Sequence, residues 1–196
     1  MRATLYLLIT IFLVFLFQNL FPEIEEYFSL IPALSLYEPW RIFTSMFLHA
    51  DIFHLLVNSY VLFVFGIELE KRVGSKKFLE IYFASGVFAS IFYSLIAIFV
   101  DPYTPAVGAS GAIYGIIGAL AIIAPTLLVF VYFVPIPLLL FAIFYAILEF
   151  LGTIFFAFGA KSAIAYAAHF GGILIGFIYG KKIRNSLRKK YLDFFV

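Results

Sequence analysis

The chain has 196 residues, of which 65% are hydrophobic, 21% aromatic and only 12% charged, and its net charge is +2. A typical soluble domain carries about 25% charged residues, so this composition excludes a protein that folds in water. The absence of cysteine also excludes disulfide bonds, thiol catalysis and cysteine-ligated metal sites.

Apolar stretches long enough to cross a bilayer, which takes about 20 residues per helix, recur along the whole chain. We therefore predict an all-α membrane protein, a six-helix bundle that forms one integral domain over residues 1–196. The first stretch lacks the small-residue cleavage pattern of a secretory signal, so it is interpreted as a retained helix. The predicted transmembrane helices cover residues 3–21, 52–69, 78–100, 110–124, 137–150 and 163–180, and a basic tail follows over 181–196.

Two connecting segments have distinctive sequences. The long first loop, 22–50, mixes acidic residues with apolar and aromatic ones, which indicates that it lies partly in the outer membrane interface. The apolar segment 126–136 is bracketed by Pro125, Pro135 and Pro137, and proline interrupts helices. We expect it to be either an interfacial turn on the cytoplasmic side or an extension of the fifth helix.

The basic residues predict the orientation of the bundle. Eleven of the thirteen fall in three clusters, at Arg2, within 71–77 and within 181–190. Six crossings place the three clusters on one side, which the positive-inside rule assigns to the cytoplasm together with both termini. The basic tail is accordingly interpreted as a topology and anionic-lipid signal, and not as a nucleic-acid-binding patch. The acidic residues predicted on the other side are Glu23, Glu25, Glu26, Glu38, Asp51 and Asp101.

Ser110 and His169 are the strongest catalytic side chains within the apolar sequence. Ser110 opens the predicted fourth helix and His169 lies in the outer part of the sixth. A serine with a histidine as its base is the minimum for acyl transfer. Counted at about 1.5 Å per residue, Ser110, His169 and His54 fall at similar depths on the outer side. The pattern therefore indicates hydrolysis inside a membrane.

Small residues on the fourth and sixth helices predict how Ser110 and His169 meet. Their spacing is the one that lets membrane helices touch backbone to backbone. The residues are Gly111, Gly115 and Gly118 on the fourth helix, and Ala168, Gly172, Gly176 and Gly180 on the sixth.

Neighbouring groups are assigned supporting roles. Tyr114 follows Ser110 by one helical turn, so its ring can stack on the imidazole of His169. The Ser110 backbone N–H lies at a helix N-terminus, where unpaired amides and the helix dipole favour an oxyanion. His54 and Asn58 share a helix face at i and i+4 and can add two oxyanion donors. Interhelical hydrogen bonding is the alternative interpretation of that pair.

No carboxylate has a spacing that argues for a role in orienting His169. The candidates are Asp51, Asp101 and Glu149. Glu149 lies near the predicted outer end of the fifth helix, so it is interpreted as a solvated acid at the interface.

Two other chemistries compete with acyl transfer. His49, His54 and His169 could supply three nitrogens to zinc, but the first two lack the i, i+4 spacing and the glutamate of an HExxH motif. A transporter or channel pathway is disfavoured because the polar residues do not continue toward the cytoplasmic side. No metal, nucleotide or other cofactor is required by a serine and a histidine.

Four motifs together resemble the rhomboid family of intramembrane serine proteases. They are Trp40-Arg41, the His49-x4-His54-x3-Asn58 run, Gly108-Ala109-Ser110-Gly111 with Tyr114, and Ala168-His169-x2-Gly172. The resemblance implies a minimal six-helix form, a Ser110–His169 dyad without an acidic third member, and an oxyanion site formed by the Ser110 N–H, His54 and Asn58. The positions it marks as supporting are Tyr114, Gly108, Gly111, His49, Trp40, Arg41 and Gly172.

The resemblance also implies a serine endopeptidase that cuts single-pass membrane proteins in or near their transmembrane segments. A peptide bond in a helix is shielded by its hydrogen bonds, so the substrate must unwind first. The alternative within the family is a protein that binds or escorts membrane helices without cutting them. Intact Ser110 and His169 argue against that alternative.

Substrate entry is predicted past the fifth helix and beneath a lid over 151–162. The gate stripe on that helix consists of Phe141, Phe144, Tyr145 and Leu148, and the lid carries Phe155, Phe156, Phe158 and Gly159. Apolar side chains that face lipid would give the same pattern.

Overall fold

The computed structural model describes residues 2–160 and 165–192, and this part of the chain is mainly helical, as predicted. Short 3₁₀ turns lie at Pro32–Leu34 and Ser45–Phe47. The helices are α1 (Arg2–Leu20), α2 (Glu23–Phe28), α3 (Arg41–Thr44), α4 (Ile52–Val61), α5 (Ile67–Val100), α6 (Ser110–Ile123), α7 (Leu138–Ala157) and α8 (Tyr166–Leu192).

Much of the helical structure can cross a bilayer. Within the described residues, Arg2–Leu20, Ile52–Val100 and Leu138–Ala157 are long and apolar enough to do so. α6 is also apolar but has only 14 residues, which is about 21 Å against about 30 Å of hydrocarbon. Ten of its 14 residues are buried, so α6 is the centre of the fold.

α6 and α8 pack with backbone against backbone. A Cβ added at Gly172 would lie 2.9 Å from the carbonyl carbon of Gly111. One added at Gly118 would lie 2.6 Å from the carbonyl oxygen of Ile173. No side chain fits along these parts of the contact, so the predicted close approach of the two small-residue stripes is confirmed.

The predicted loop between the second and third helices is shorter than expected. A π-helical turn at Leu62–Gly66 joins α4 to α5, and within α5 only Gly74 departs from helical geometry, with φ 79° and ψ 160°. Glycine adopts positive φ without a Cβ clash, so one residue can break the helix where a loop over 70–77 was expected.

The segment 126–136 is a correction to the all-α prediction, and it does not extend the fifth helix. Strands β1 (Leu128–Val131) and β2 (Val134–Pro137) pair antiparallel, with Leu128 opposite Pro137. Tyr132 and Phe133 form the turn with φ of 46° and 69°. Paired φ values above zero match the twist of a tight hairpin, which satisfies the backbone between the prolines.

Two helix ends also differ from the prediction. α7 continues to Ala157, past the predicted end at 150, so the first part of the predicted lid is helical. α8 continues through the basic segment to Leu192, so the predicted tail begins as helix. The predicted start of the sixth helix at 163 and the end of the lid at 161–162 lie outside the described residues.

The segment before α4 is held by a buried arginine. Arg41 is only 3% exposed, forms an ion pair with Glu38, and donates from Nη1 to the carbonyls of Glu26 at 2.7 Å and Ser29 at 2.9 Å. Two further contacts reach the turn before α6: a backbone bridge between Leu30 and Ala106, and the Gly108 N–H donating to Ser45. The segment therefore supports the start of α6.

Candidate active site

Ser110 and His169 lie side by side at the starts of two adjacent helices. Ser110 is the first residue of α6, and His169 lies in the first turn of α8. The Ser110 Oγ atom is 2.8 Å from Nε2 of the His169 ring, which is hydrogen-bond distance. This is the arrangement in which a histidine can accept the proton of a serine nucleophile.

Tyr114 stacks on the ring of His169. Its ring is nearly parallel to that of His169, with centroids 4.4 Å apart and planes 12° apart. The stacking restricts the tilt of the imidazole, while the Tyr114 hydroxyl extends beyond it toward α7.

Glu149 is the residue that the sequence interpretation placed wrongly. It is buried, with 5% of its surface exposed, and its Oε1 accepts a hydrogen bond from the Tyr114 hydroxyl at 2.7 Å. Its Oε2 lies 3.2 Å from Nδ1 of His169, within ion-pair distance, although the two atoms are not aligned for a hydrogen bond. The resemblance implied no acidic third member, yet here a carboxylate contacts the histidine.

The misplacement follows from the extent of α7. With the helix ending at Ala157, Glu149 lies in its packed interior and not at an interfacial end. The Thr153 hydroxyl donates to the Glu149 carbonyl within the same helix. A lone acid inside a long apolar stretch was the available signal, because an ionisable group at membrane depth is rarely without a partner.

Gly108 lies between the ring of His54 and the side chain of Ser110. A Cβ added there would lie 2.8 Å from Cε1 and 3.0 Å from Nε2 of His54, and 3.8 Å from Ser110 Oγ. Its φ of 131° also disfavours any side chain. The edge of the His54 ring therefore approaches the serine across a residue that has no side chain.

Asn58 is buried, but its amide donates to the His54 carbonyl at 2.8 Å within α4. The structure thus brings His54 toward Ser110 and leaves the Asn58 amide bonded inside its own helix. The amide NH₂ has a second N–H, which can serve an oxyanion while this bond is kept.

His49 is fully buried beneath His54, and the two rings meet at a centroid distance of 5.1 Å. Gln18 accepts from the His49 N–H and donates to its carbonyl, which holds the segment before α4 against α1. Burial, with His54 nearby, lowers the pKa of His49 to about 4, so its ring is neutral near pH 7. Among the described residues no three His, Asp or Glu side chains converge on a metal position.

Trp40 and Arg41 lie in the segment before α4, and Gly172 and Gly111 lie at the α6–α8 contact. The Trp40 indole N–H donates to the Tyr27 carbonyl at 3.2 Å, and the described bonds of Arg41 stay within the same segment. These residues shape the backbone around the site and do not contact the Ser110 and His169 side chains through any described hydrogen bond.

The gate residues divide into two groups. Phe144 and Leu148 are exposed, whereas Phe141 and Tyr145 pack together, with Tyr145 also near Tyr114. Phe156 of the predicted lid is buried in α7 and stacks on Tyr93, while Phe155 and Phe158 are exposed. Part of the predicted lid is therefore fixed helical structure.

A small cavity opens beside Ser110. It has a volume of about 30 Å³, and its lining combines small residues such as Ala89 and Ala168 with the larger Met46 and Tyr93. That is room for about two water molecules. The apolar helices define the class as a membrane-embedded protein, and within them a serine and a histidine lie at hydrogen-bond distance beside this cavity.

A family model described as the Rhomboid domain matches residues 37–186, and the chain belongs to the rhomboid family. It is an integral membrane protein. It is 41% identical over 90 residues to Rhomboid-like protease 3 of Toxoplasma gondii, which covers 46% of this chain and 33% of that protein. It is 44% identical over 87 residues to Rhomboid protease GluP of Bacillus subtilis, which covers 44% of this chain and 16% of that protein.

The chain is also 37% identical over 84 residues to Inactive RHOMBOID-like protein 8 of Arabidopsis thaliana, a match that covers 43% of this chain and 23% of that protein. The match thus spans a third or less of the length of each of these three relatives. Family membership by itself therefore does not decide between a protease and an inactive relative.

Proposed function

We propose that the protein is an intramembrane serine endopeptidase that hydrolyses peptide bonds in or near the transmembrane segments of membrane proteins. The observation that carries the proposal is the 2.8 Å contact between Ser110 Oγ and His169 Nε2 in a bundle of apolar helices. The similarity to two proteins named as rhomboid proteases supports it.

In this mechanism Ser110 Oγ attacks the carbonyl carbon of the scissile bond while His169 Nε2 takes the hydroxyl proton. The tetrahedral oxyanion accepts hydrogen bonds from the Ser110 N–H, from His54 and from the second N–H of the Asn58 amide. His169 then gives its proton to the leaving amine, and the C–N bond breaks. Water, activated by the same imidazole, hydrolyses the acyl-enzyme and regenerates Ser110.

We infer six crossings of the membrane for this domain. The break at Gly74 would divide the stretch Ile52–Val100 into two crossings, and α1, α6, α7 and α8 would supply the others. The positive-inside rule then assigns both termini to the cytoplasm and Ser110 to the extracytoplasmic half. The proposed domain covers residues 1–196, and the lipid bilayer surrounds it.

The proposed substrates are single-pass membrane proteins with a weakened helix, and the proposed entry lies along α7. The exposure of Phe144 and Leu148 is compatible with that route. Non-proteolytic binding of membrane helices is the second candidate function, favoured by the similarity to an inactive relative. No nucleic acid or cofactor takes part in either.

The test is cleavage in liposomes by wild type, Ser110→Ala and His169→Ala, with a single-pass substrate that carries a glycine-containing segment. We expect product from wild type alone, identified by mass spectrometry, and labelling of Ser110 by a fluorophosphonate probe. Absence of both cleavage and labelling in folded wild-type protein would favour the binding function.

A further inference from the structure

We propose that Glu149 is a positioning residue that makes the serine and histidine into a three-membered site, an inference that rests on the proposed function. Its carboxylate contacts the two side chains that define the imidazole: Nδ1 of His169 at 3.2 Å and the hydroxyl of Tyr114 at 2.7 Å. Glu149 is buried and the other two side chains are partly buried, so charge interactions among them are less screened than in water.

The first consequence concerns the tautomer of His169. Nε2 must be unprotonated to accept from Ser110, so the neutral ring must carry its proton on Nδ1. A carboxylate only accepts hydrogen bonds, so Glu149 beside Nδ1 favours that tautomer and stabilises the imidazolium formed when Ser110 attacks. The unaligned 3.2 Å contact is expected to tighten when substrate is bound, as catalytic hydrogen bonds often do.

The second consequence concerns Tyr114. Its hydroxyl can donate to only one oxygen of Glu149, Oε1, and this bond turns Oε2 toward His169. Tyr114 thus acts twice: its ring fixes the plane of the imidazole and its hydroxyl fixes the carboxylate. The Tyr114 bond therefore determines which group a substituted residue 149 presents to the histidine.

Glu149→Gln gives the sharpest test because of that bond. A tyrosine hydroxyl can also accept, but Glu149 is the acceptor of the Tyr114 proton among the described hydrogen bonds. The amide oxygen of glutamine should keep that bond, because the proton would otherwise be buried without a partner, and the NH₂ group then faces Nδ1. An N–H donor at Nδ1 holds the wrong tautomer, with the proton on Nε2, and that ring cannot accept from Ser110. We expect kcat to fall by about 100-fold or more, with KM little changed.

Tyr114→Phe separates positioning from a merely structural role. The phenylalanine ring keeps the stacking on His169 but no longer fixes residue 149, so the amide of Glu149→Gln is free to turn its oxygen to Nδ1. We therefore expect the double variant to be more active than Glu149→Gln alone. Tyr114→Phe by itself should lose no more than about tenfold, because it removes a single hydrogen bond.

Glu70→Gln is the matched control for loss of a buried carboxylate. Glu70 is buried and accepts hydrogen bonds from the N–H and hydroxyl of Thr4 and from the hydroxyl of Ser75. These groups lie at the opposite end of the helices from Ser110. Glu70→Gln should lower the unfolding temperature and leave kcat per folded molecule unchanged.

The measurements are kcat and KM in liposomes, the rate at which a fluorophosphonate labels Ser110, and the unfolding temperature of each variant. Slow labelling and low kcat in folded Glu149→Gln, with recovery in the double variant, would support the proposal. It is overturned if Glu149→Gln keeps kcat within about threefold of wild type, or if the double variant is no more active. Failure of wild type itself to label would overturn the proposed function instead.

Discussion

Gly108 shows how one residue without a side chain can control the geometry of a site. It lies between the His54 ring and the Ser110 hydroxyl, and its backbone has a φ of 131°. This position therefore has no space for a Cβ and has a backbone conformation that other residues rarely adopt. A larger residue is disfavoured for both reasons.

We expect Gly108→Ala to lower kcat by at least about tenfold, because the new methyl group would displace His54 from the proposed oxyanion site. Backbone strain should also cost about 1–3 kcal/mol of unfolding free energy. Cleavage rates in liposomes and thermal unfolding in detergent measure the two effects separately.

Gly74→Ala is the control for strain alone. Gly74 also has positive φ, but a Cβ there would meet nothing within 4 Å. This variant should lose stability and keep its kcat. Equal loss of kcat in the two variants would contradict the role given to Gly108.

Single residues also show how much of the site the sequence can predict. Ser110 and His169 could be selected because few polar residues occur in apolar sequence, and helical spacing then selected Tyr114. Glu149 could not be assigned because its partners lie on α6 and α8, far away in sequence. Burial of an acid depends on tertiary packing. Because the predicted end of the helix was seven residues too early, Glu149 was placed at the interface instead of in the packed interior.

Among the elements, the pair α6 and α8 determines the distance between Ser110 and His169. The backbones touch at Gly111 and Gly172. Gly171 differs from its neighbour, because the three atoms nearest to a Cβ there all belong to the side chain of Phe92, the first at 3.1 Å. Side chains can move by a few tenths of an ångström, whereas packed backbones move only with their helices.

Gly172→Ala should therefore separate the two helices, lower the rate of fluorophosphonate labelling at Ser110 by at least about tenfold and destabilise the fold by about 1–3 kcal/mol. Gly171→Ala, one residue away, should label at nearly the wild-type rate. Comparable labelling of both variants would show that the backbone contact does not set the Ser110–His169 distance.

The elements that were mispredicted share a physical cause. The hairpin from Leu128 to Pro137 is apolar and β-branched between prolines, and periodicity does not separate such a short run from a helix. Similarly, α7 and α8 continue past their predicted ends at 150 and 180, through Gly152 and Gly180. These glycines are helical and pack closely against Tyr166 and the backbone of Ala119, so tertiary contacts keep them in the helix. The long apolar helices were predicted, but the residues at which they end were not.

For the whole molecule, the proposed orientation can be tested with cysteines, since the natural sequence has none. Lys76 is exposed in α5 just after Gly74, and Tyr103 is exposed just after the helix ends at Val100. In intact cells a membrane-impermeant maleimide should label Tyr103→Cys and not Lys76→Cys, because the positive-inside rule places Lys76 in the cytoplasm.

Inverted membrane vesicles provide the control, and there the labelling pattern should reverse. Labelling of both residues from the same side would contradict two crossings joined at Gly74. Labelling of Lys76→Cys from outside would contradict the orientation.

The direct backbone contact between α6 and α8 also bears on how the protein responds to its lipids. Bilayers differ in thickness, and helices adapt by tilting or by deforming the surrounding lipid. Two helices that touch at glycine tilt together, so the spacing of Ser110 and His169 should stay constant from one bilayer to another. α7, whose long exposed face includes Phe144 and Leu148, has more freedom to tilt by itself. Membrane thickness should thus regulate the admission of substrates along α7. It should change the chemical step only as far as a tilt of α7 moves Glu149 away from His169.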